Sequence, residues 1–153
     1  MISFMKIQII SVGKMSAELA TLAKHYQKMI GWEVRSVELV HSKKLKDEQI
    51  KQYEAKLIKE KLTKNAHIVA LDLSGKHLTS HEFSKLFSSQ MMRGGDIDFI
   101  IGGAFGLDES IISEASARLC LSKMTFPHQI AKLILLEQIY RAQTILNGHP
   151  YHK

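Results

Sequence analysis

The 153-residue sequence is poor in residues that staple, break or anchor a chain. It has one cysteine, Cys120, so an internal disulfide is impossible and nothing points to an oxidising compartment. Only two prolines are present, which argues against linkers. No window approaches the ~18 unbroken apolar residues of a membrane span. The opening MISFMKIQIISVG lacks the basic start and small-residue cleavage site of a secretory signal. Neither a membrane protein nor a secreted one is therefore expected, and a cytosolic location is. Eight histidines are present, but only the pairs His77/His81 and His149/His152 have ligand-like spacing. No cysteine or carboxylate pattern completes either pair, so no metal site is expected.

What the chain does contain is ordinary for a single globular domain spanning 1–153. Hydrophobic residues make up 45% and charged residues 24%, enough for a core without staples. The net charge is +6. The excess is concentrated in Lys43 to Lys64, where eight lysines face Asp47, Glu48, Glu54 and Glu60, a local net of +4. Such a segment favours a polyanion by releasing condensed counterions. A solvated helix face with pairs such as Glu60 and Lys64 accounts for it equally well.

Hydrophobic periodicity predicts alternating strands and helices. Ile7 to Val12, Trp32 to Val40, His67 to Leu73, Ile97 to Gly103 and Arg118 to Met124 read as strands. Ser16 can cap a first helix that Gly31 closes. A lysine-rich helix runs from about Asp47 to near Asn65, with Ile50, Tyr53, Leu57 and Ile58 inward. Ser80 opens a third helix that stops at Gly94-Gly95. A short helix follows through Asp108 to Ser116, and a long one runs from His128 to a left-handed stop at Gly148. Leu135, Leu136 and Ile139 on that helix suit either a subunit interface or a core. The pattern implies an α/β fold with a mainly parallel sheet covered on both faces. Ligands in such sheets sit beyond the carboxyl ends of the strands, which directs attention to the loops after Val12, Leu73, Ile101 and Met124.

Three stretches at those ends can carry chemistry. IGGAFGL, Ile101 to Leu107, packs three glycines into five positions, so the backbone can turn sharply and a ligand can approach main-chain groups. It is neither a dinucleotide fingerprint nor a P-loop, and a tight turn into the next helix also explains it. In LDLSGK, Leu71 to Lys76, Asp72 can hydrogen-bond a ribose or serve a turn through its own backbone. In LSKMTFPH, Leu121 to His128, Pro127 suits a first helical turn, and His128 either meets a substrate or simply sits at the helix start. Cys120 reads as a packed mid-strand thiol. Arg141 alone reads as a surface charge. The terminal NGHPYHK is unusual, because fraying ends drift toward small and charged residues, whereas this one carries a proline, an aromatic ring and two histidines.

Taken together, LDLSGK, IIGGAFGL, LSKMTFPHQIAKLILLEQIYRA and NGHPYHK resemble the SPOUT-class ribosomal RNA large subunit methyltransferase H family. The resemblance runs from about Met5 to Lys153. Met1 to Phe4 precede the expected start and read as a possible N-terminal extension. The resemblance implies a C-terminal deep trefoil knot, an exception to the no-knot rule. It also implies S-adenosyl-L-methionine as cofactor, and a homodimer in which the second subunit helps to build the site. The substrate it implies is N3 of a pseudouridine in 23S rRNA, methylated in the large subunit or assembled ribosome. Carried onto this chain, the cofactor contacts are Leu71, Gly102, Gly103, Leu121, Ser122, Lys123, Met124, Thr125 and Phe126. Ala104-Phe105 departs from the family pattern.

Methyl transfer to an imide nitrogen needs in-line positioning and loss of the N–H proton, assisted by a base or by a cation that stabilises the anion. Arg141, Tyr151 and His152 are the expected catalytic residues, with His128 a fourth. The tail is expected to fold over the cofactor mouth, and the Lys43 to Lys64 segment to contact rRNA. Two rivals are a noncatalytic ribosome-binding factor of the same fold and a flavodoxin-like nucleotide-binding regulatory domain. The second lacks a phosphate-cradling loop after Val12.

Overall fold

A computed structural model describes residues 5–40 and 44–153. Met1 to Phe4 and Lys43, which enter the expectations above, lie outside the described residues. The strands are β1 (Lys6–Val12), β2 (Glu33–Leu39), β3 (His67–Lys76), β4 (Ile97–Ile101) and β5 (Ala117–Leu119). They form one sheet in the order β2-β1-β4-β3-β5, and every pairing is parallel. The helices are α1 (Ala17–Met29), α2 (Asp47–Lys61), α3 (Ser80–Arg93), α4 (Glu109–Glu114) and α5 (His128–Leu146). The α/β architecture expected from the alternating pattern is the one observed.

The strands split their side chains between two cores, as the two-residue repeat of a pleated strand requires. Ile7, Ile9, Ile97, Phe99 and Ile101 join α1, α3 and α5 in one cluster. Ile10, Val12 and Ile100 join α2 and α4 in the other. Leu135, Leu136 and Ile139 of α5 are at most 1% exposed, so they belong to the first core, each contributing on the order of 1.5–3 kcal/mol by burial. Trp32 stacks on Phe87 at 5.0 Å, fixing the entry to β2 against α3.

Local signals set most boundaries. The Ser16 hydroxyl accepts from Leu19 N–H and caps α1. Thr79 and Glu82 form a reciprocal capping box at the start of α3, which satisfies two orphan donors. Gly94 closes α3 with φ of 66°, and Gly148 follows α5 with φ of 68°, the left-handed geometry of helix ends.

Three boundaries differ most from the expectation. Helix α2 stops at Lys61, not near Asn65, because its final groups are taken by the sheet. Thr63 N–H donates to Asp98 Oδ2 at 2.6 Å and Gln8 Nε2 donates to Lys61 C=O at 2.9 Å. Its inward face centres on Glu54, Ala55 and Ile58, while Ile50, Tyr53 and Leu57 are half-buried. Strand β3 runs on to Lys76, with an irregularity between Leu71 and Lys76 where both register with Leu119. Strand β5 ends at Leu119 instead of continuing to Met124. Beyond it Ser122 turns the chain, its hydroxyl accepting from Met124 N–H at 3.0 Å and its carbonyl accepting from the Cys120 thiol at 3.0 Å. Cys120 is buried as expected, but just past the strand.

Candidate functional site

Because every strand is parallel, the carboxyl ends of β3, β4 and β5 lie on one edge of the sheet. The loops leaving them surround a cavity of about 790 Å³. Its walls include Leu71 from β3, Gly102 and Gly103 after β4, and Leu121, Ser122, Met124, Thr125 and Phe126 after β5. His128, from the first turn of α5, also lines it. Of the nine expected cofactor contacts, Lys123 is the one that does not line the cavity. The volume is that of a small-molecule site, and glycines stand among mainly apolar lining residues.

The glycine-rich turn is shaped by its own packing. Gly106 N–H donates to Gly103 C=O at 3.0 Å, closing a tight turn in which Gly106 has φ of 80°. A Cβ on Gly102 would lie 2.8 Å from the Gly106 carbonyl carbon. A Cβ on Gly103 would meet the Glu54 carboxylate and Val12 at 3.2 Å. The first position excludes a side chain on the protein side of the turn and the second leaves little room for one, a steric demand that the sequence pattern alone does not reveal.

The other candidates sort as follows. Asp72 Oδ2 accepts from both the N–H and the hydroxyl of Ser74, so its carboxylate serves the turn. His128 lines the cavity, but its Nε2 is buried without a hydrogen-bond partner among the described residues. That atom lies 2.4 Å from the position of a Cβ on Gly13, which has φ of 106°. The end of β1 and the start of α5 thus meet through a residue with no side chain. Among the described residues no cluster of three or more His, Cys, Asp or Glu could hold a metal. No helix of the described residues is long and apolar enough to cross a membrane.

The terminal residues are held against α5. Glu137 is the hub: its Oε1 accepts from Arg141 Nε at 3.0 Å, from Arg141 Nη2 at 2.6 Å and from the Tyr151 hydroxyl at 2.9 Å. Its Oε2 accepts from Gln138 Nε2 at 2.8 Å. Arg141 Nη1 donates to His152 Nδ1 at 3.1 Å. The guanidinium also sits 4.8 Å from the Tyr151 ring centre, and the His152 ring meets His81 edge-on at 4.9 Å. Arg141 is therefore not a plain surface charge.

This geometry assigns protons. A guanidinium only donates, so His152 Nδ1 accepts, and the neutral ring carries its hydrogen on Nε2. Burial, reinforced by the hydrogen bond to Glu137, pushes the Tyr151 hydroxyl up to about 12. The hydrogen bonds to Glu137 hold Arg141 protonated beyond its ordinary range.

The structure thus brings Arg141, Tyr151 and His152 together and brings His128 to the cavity, but the two groups are apart. Arg141, Tyr151 and His152 do not line the cavity. The thirteen helical steps from His128 to Arg141 amount to about 20 Å at ~1.5 Å per residue. Within one chain the tail does not close over the cavity, contrary to the simplest reading of the sequence. Sequence reasoning also missed Glu137, whose position one turn before Arg141 was the available signal.

The comparisons agree with this architecture. The family described as "Predicted SPOUT methyltransferase" matches residues 5–152, and the chain belongs to that family. Proteins named ribosomal RNA large subunit methyltransferase H are similar over nearly its whole length. One from Clostridium perfringens (strain 13 / Type A) is 40% identical, and one from Clostridium botulinum (strain Kyoto / Type A2) is 43% identical. Each match covers 97% of this chain and 100% of the relative. Within the SPOUT family the chain groups with these large subunit methyltransferase H proteins. Among solved structures, a probable methylase family protein from Haemophilus influenzae Rd KW20 superposes with a TM-score of 0.56 at 15% identity. That match covers 100% of this chain and 72% of the other. A putative methylase family protein from Neisseria gonorrhoeae gives 0.58 at 11%, over 91% and 83% of the two chains. These two show the fold.

Proposed function

We propose that the protein is an S-adenosyl-L-methionine-dependent rRNA methyltransferase that modifies N3 of a pseudouridine in 23S rRNA within the large subunit or assembled ribosome. The observation that carries this reading is the convergence of Leu71, the Gly102-Gly103 turn and the Leu121 to Phe126 loop around one cavity. The residues present fit the cofactor. Leu71, Leu121 and Phe126 offer an apolar wall for an adenine, and the Gly102 and Ser122 segments offer main-chain partners for polar ends. When bound, the cofactor supplies an electrophilic methyl group on a sulfonium.

The chain's own residues supply position and charge. The apolar wall excludes water from the transfer site. Arg141 carries a fixed cation that stabilises the imide anion left when N3 loses its proton, and so lowers the cost of that loss. Tyr151, kept protonated, and His152, with its hydrogen on Nε2, act as donors toward uracil oxygens instead of as bases. The proton goes to water. Since the tail lies along α5 away from its own cavity, it serves the cavity of a partner subunit, which makes the working unit a homodimer. The C-terminal knot and a cytoplasmic location belong to the same reading. The lysines of α2 contact rRNA phosphates, giving affinity without sequence readout.

Incubation of the purified protein with S-adenosylmethionine and ribosomes lacking the modification, followed by mass mapping of 23S rRNA nucleosides, tests the reading. One methyl group at a pseudouridine N3 is expected. Methyl incorporation at another nucleoside, or none at all with ribosome binding intact, would replace it, the second outcome favouring a noncatalytic ribosome-binding factor.

A further inference from the structure

The first turn of α3 and the terminal segment meet through a pair of histidines. The His81 ring packs edge-on against that of His152, with centres 4.9 Å apart and planes at 85°. In the sequence these residues belong to different closely spaced pairs, His77/His81 and His149/His152, and the fold brings together one member of each. The turn that carries His81 is itself held on both sides. Thr79 and Glu82 close its capping box. The Ser80 hydroxyl donates to Gln138 Oε1 at 2.8 Å, and Gln138 Nε2 donates to Glu137 Oε2 at 2.8 Å. Glu137 in turn holds Arg141, and Arg141 holds His152. Adjacent residues of one helical turn thus reach both ends of the same network, Ser80 through Gln138 and His81 through His152. A single hydrogen bond at Nδ1 leaves an imidazole able to tilt and turn. A ring set perpendicular to it fixes the plane, and with it the direction of the Nε2 hydrogen on which a hydrogen bond depends.

We propose that His81 is a positioning residue for His152, holding the imidazole plane so that its Nε2 hydrogen is aimed at the acceptor uracil. The proposal rests on the donor role given to His152 above. His81 does not line the cavity, so its effect on methyl transfer passes through His152. Its side chain is exposed, and the carbonyl that accepts from the Ser84 hydroxyl at 2.6 Å belongs to the main chain. Replacing the ring therefore leaves the start of α3 intact.

The test compares single-turnover methylation by the purified full-length protein, His81→Ala, His81→Phe, His152→Ala and the His81→Ala/His152→Ala double variant, with thermal melts to confirm folding. His81→Ala should slow transfer by about three- to tenfold, the worth of an edge-to-face ring contact, and His81→Phe, which keeps a ring, should recover most of the rate. In the His152→Ala background, removing His81 should change the rate by less than about twofold. A purely structural role would slow both backgrounds alike. A second readout needs no activity: nitrogen-15 spectra of the His152 ring under mildly alkaline conditions. The parent should show distinct protonated Nε2 and unprotonated Nδ1 signals, and His81→Ala should draw them toward a common value as the tautomers interchange. Equal losses with and without His152, an unchanged rate in His81→Ala, or His152 signals that ignore the substitution overturn the proposal. A parent protein that transfers no methyl group would instead overturn the methyltransferase reading, and the role of His81 with it.

Discussion

Arg141 on α5 and His152 in the terminal segment are joined by a 3.1 Å hydrogen bond from Nη1 to Nδ1, and Glu137 holds the other side of the same guanidinium. One cation thus fixes both its own helix and a residue eleven positions later. Replacing Arg141 by Ala should lower single-turnover methylation by on the order of 10²- to 10³-fold, the usual loss of an oxyanion stabiliser. S-adenosylmethionine affinity should stay within about twofold, because Arg141 does not line the cavity. Arg141→Lys should recover only part of the rate, since an ammonium lacks the planar fork.

Tyr151 ties the tail to Glu137 only while it is protonated. Its folded-state value, pushed up to about 12 chiefly by burial, stands above the ordinary ~10 of a free tyrosine. A raised value means that the stabilisation is complete below about pH 10 and is lost as pH climbs toward 12. Ultraviolet titration should show a late phenolate step accompanied by release of the tail. Tyr151→Phe should lack both the step and the associated pH dependence; an ordinary titration in the parent protein would contradict the packing.

Asp98 is fully buried in the central strand β4, and its Oδ1 has no hydrogen-bond partner among the described residues. Burial is the largest cause and raises its carboxyl above the ordinary range, against the lowering effect of hydrogen bonds from Thr63 and Gln8. With the folded value raised, the ionised form costs stability once pH passes upward from the unfolded value of about 3.9 through the folded one. The difference in Tm between Asp98→Asn and the parent should therefore shift in favour of the variant between pH 4 and pH 7. Parallel melting curves across that interval would argue against the desolvated carboxylate.

Lys56 and Lys61 on α2 are exposed. If the helix meets rRNA phosphates, their joint replacement by Ala should weaken ribosome binding and reduce the slope of log K against log salt by about two, roughly one unit for each phosphate no longer neutralised. An unchanged slope would return these lysines to the role of a solvated face.

The sequence made legible what depends on short-range pattern. Ile7 to Val12 and Ile97 to Ile101 announced buried strands through short runs rich in apolar residues, isoleucine above all, and Gly94 and Gly148 announced helix ends. The three strand-end loops were legible for the same reason, because a parallel sheet leaves its ligands few places to sit. Features that depend on distant partners stayed hidden. The early end of α2 at Lys61 is imposed by Asp98 and Gln8, which are remote in sequence. The Glu137 hub needs the terminal segment folded back before it exists. Glu54 looked like one acid among lysines until its burial was visible.

Gly13 holds no side chain, and the space where one would begin is filled by the His128 ring at 2.4 Å. The seat of a nineteen-residue helix is thus set by a missing methyl group at the far end of the chain. Any residue larger than glycine there would strain the backbone and have to push that ring out of its seat, so a lesion near the amino terminus would be felt in the wall of the ligand cavity that His128 lines.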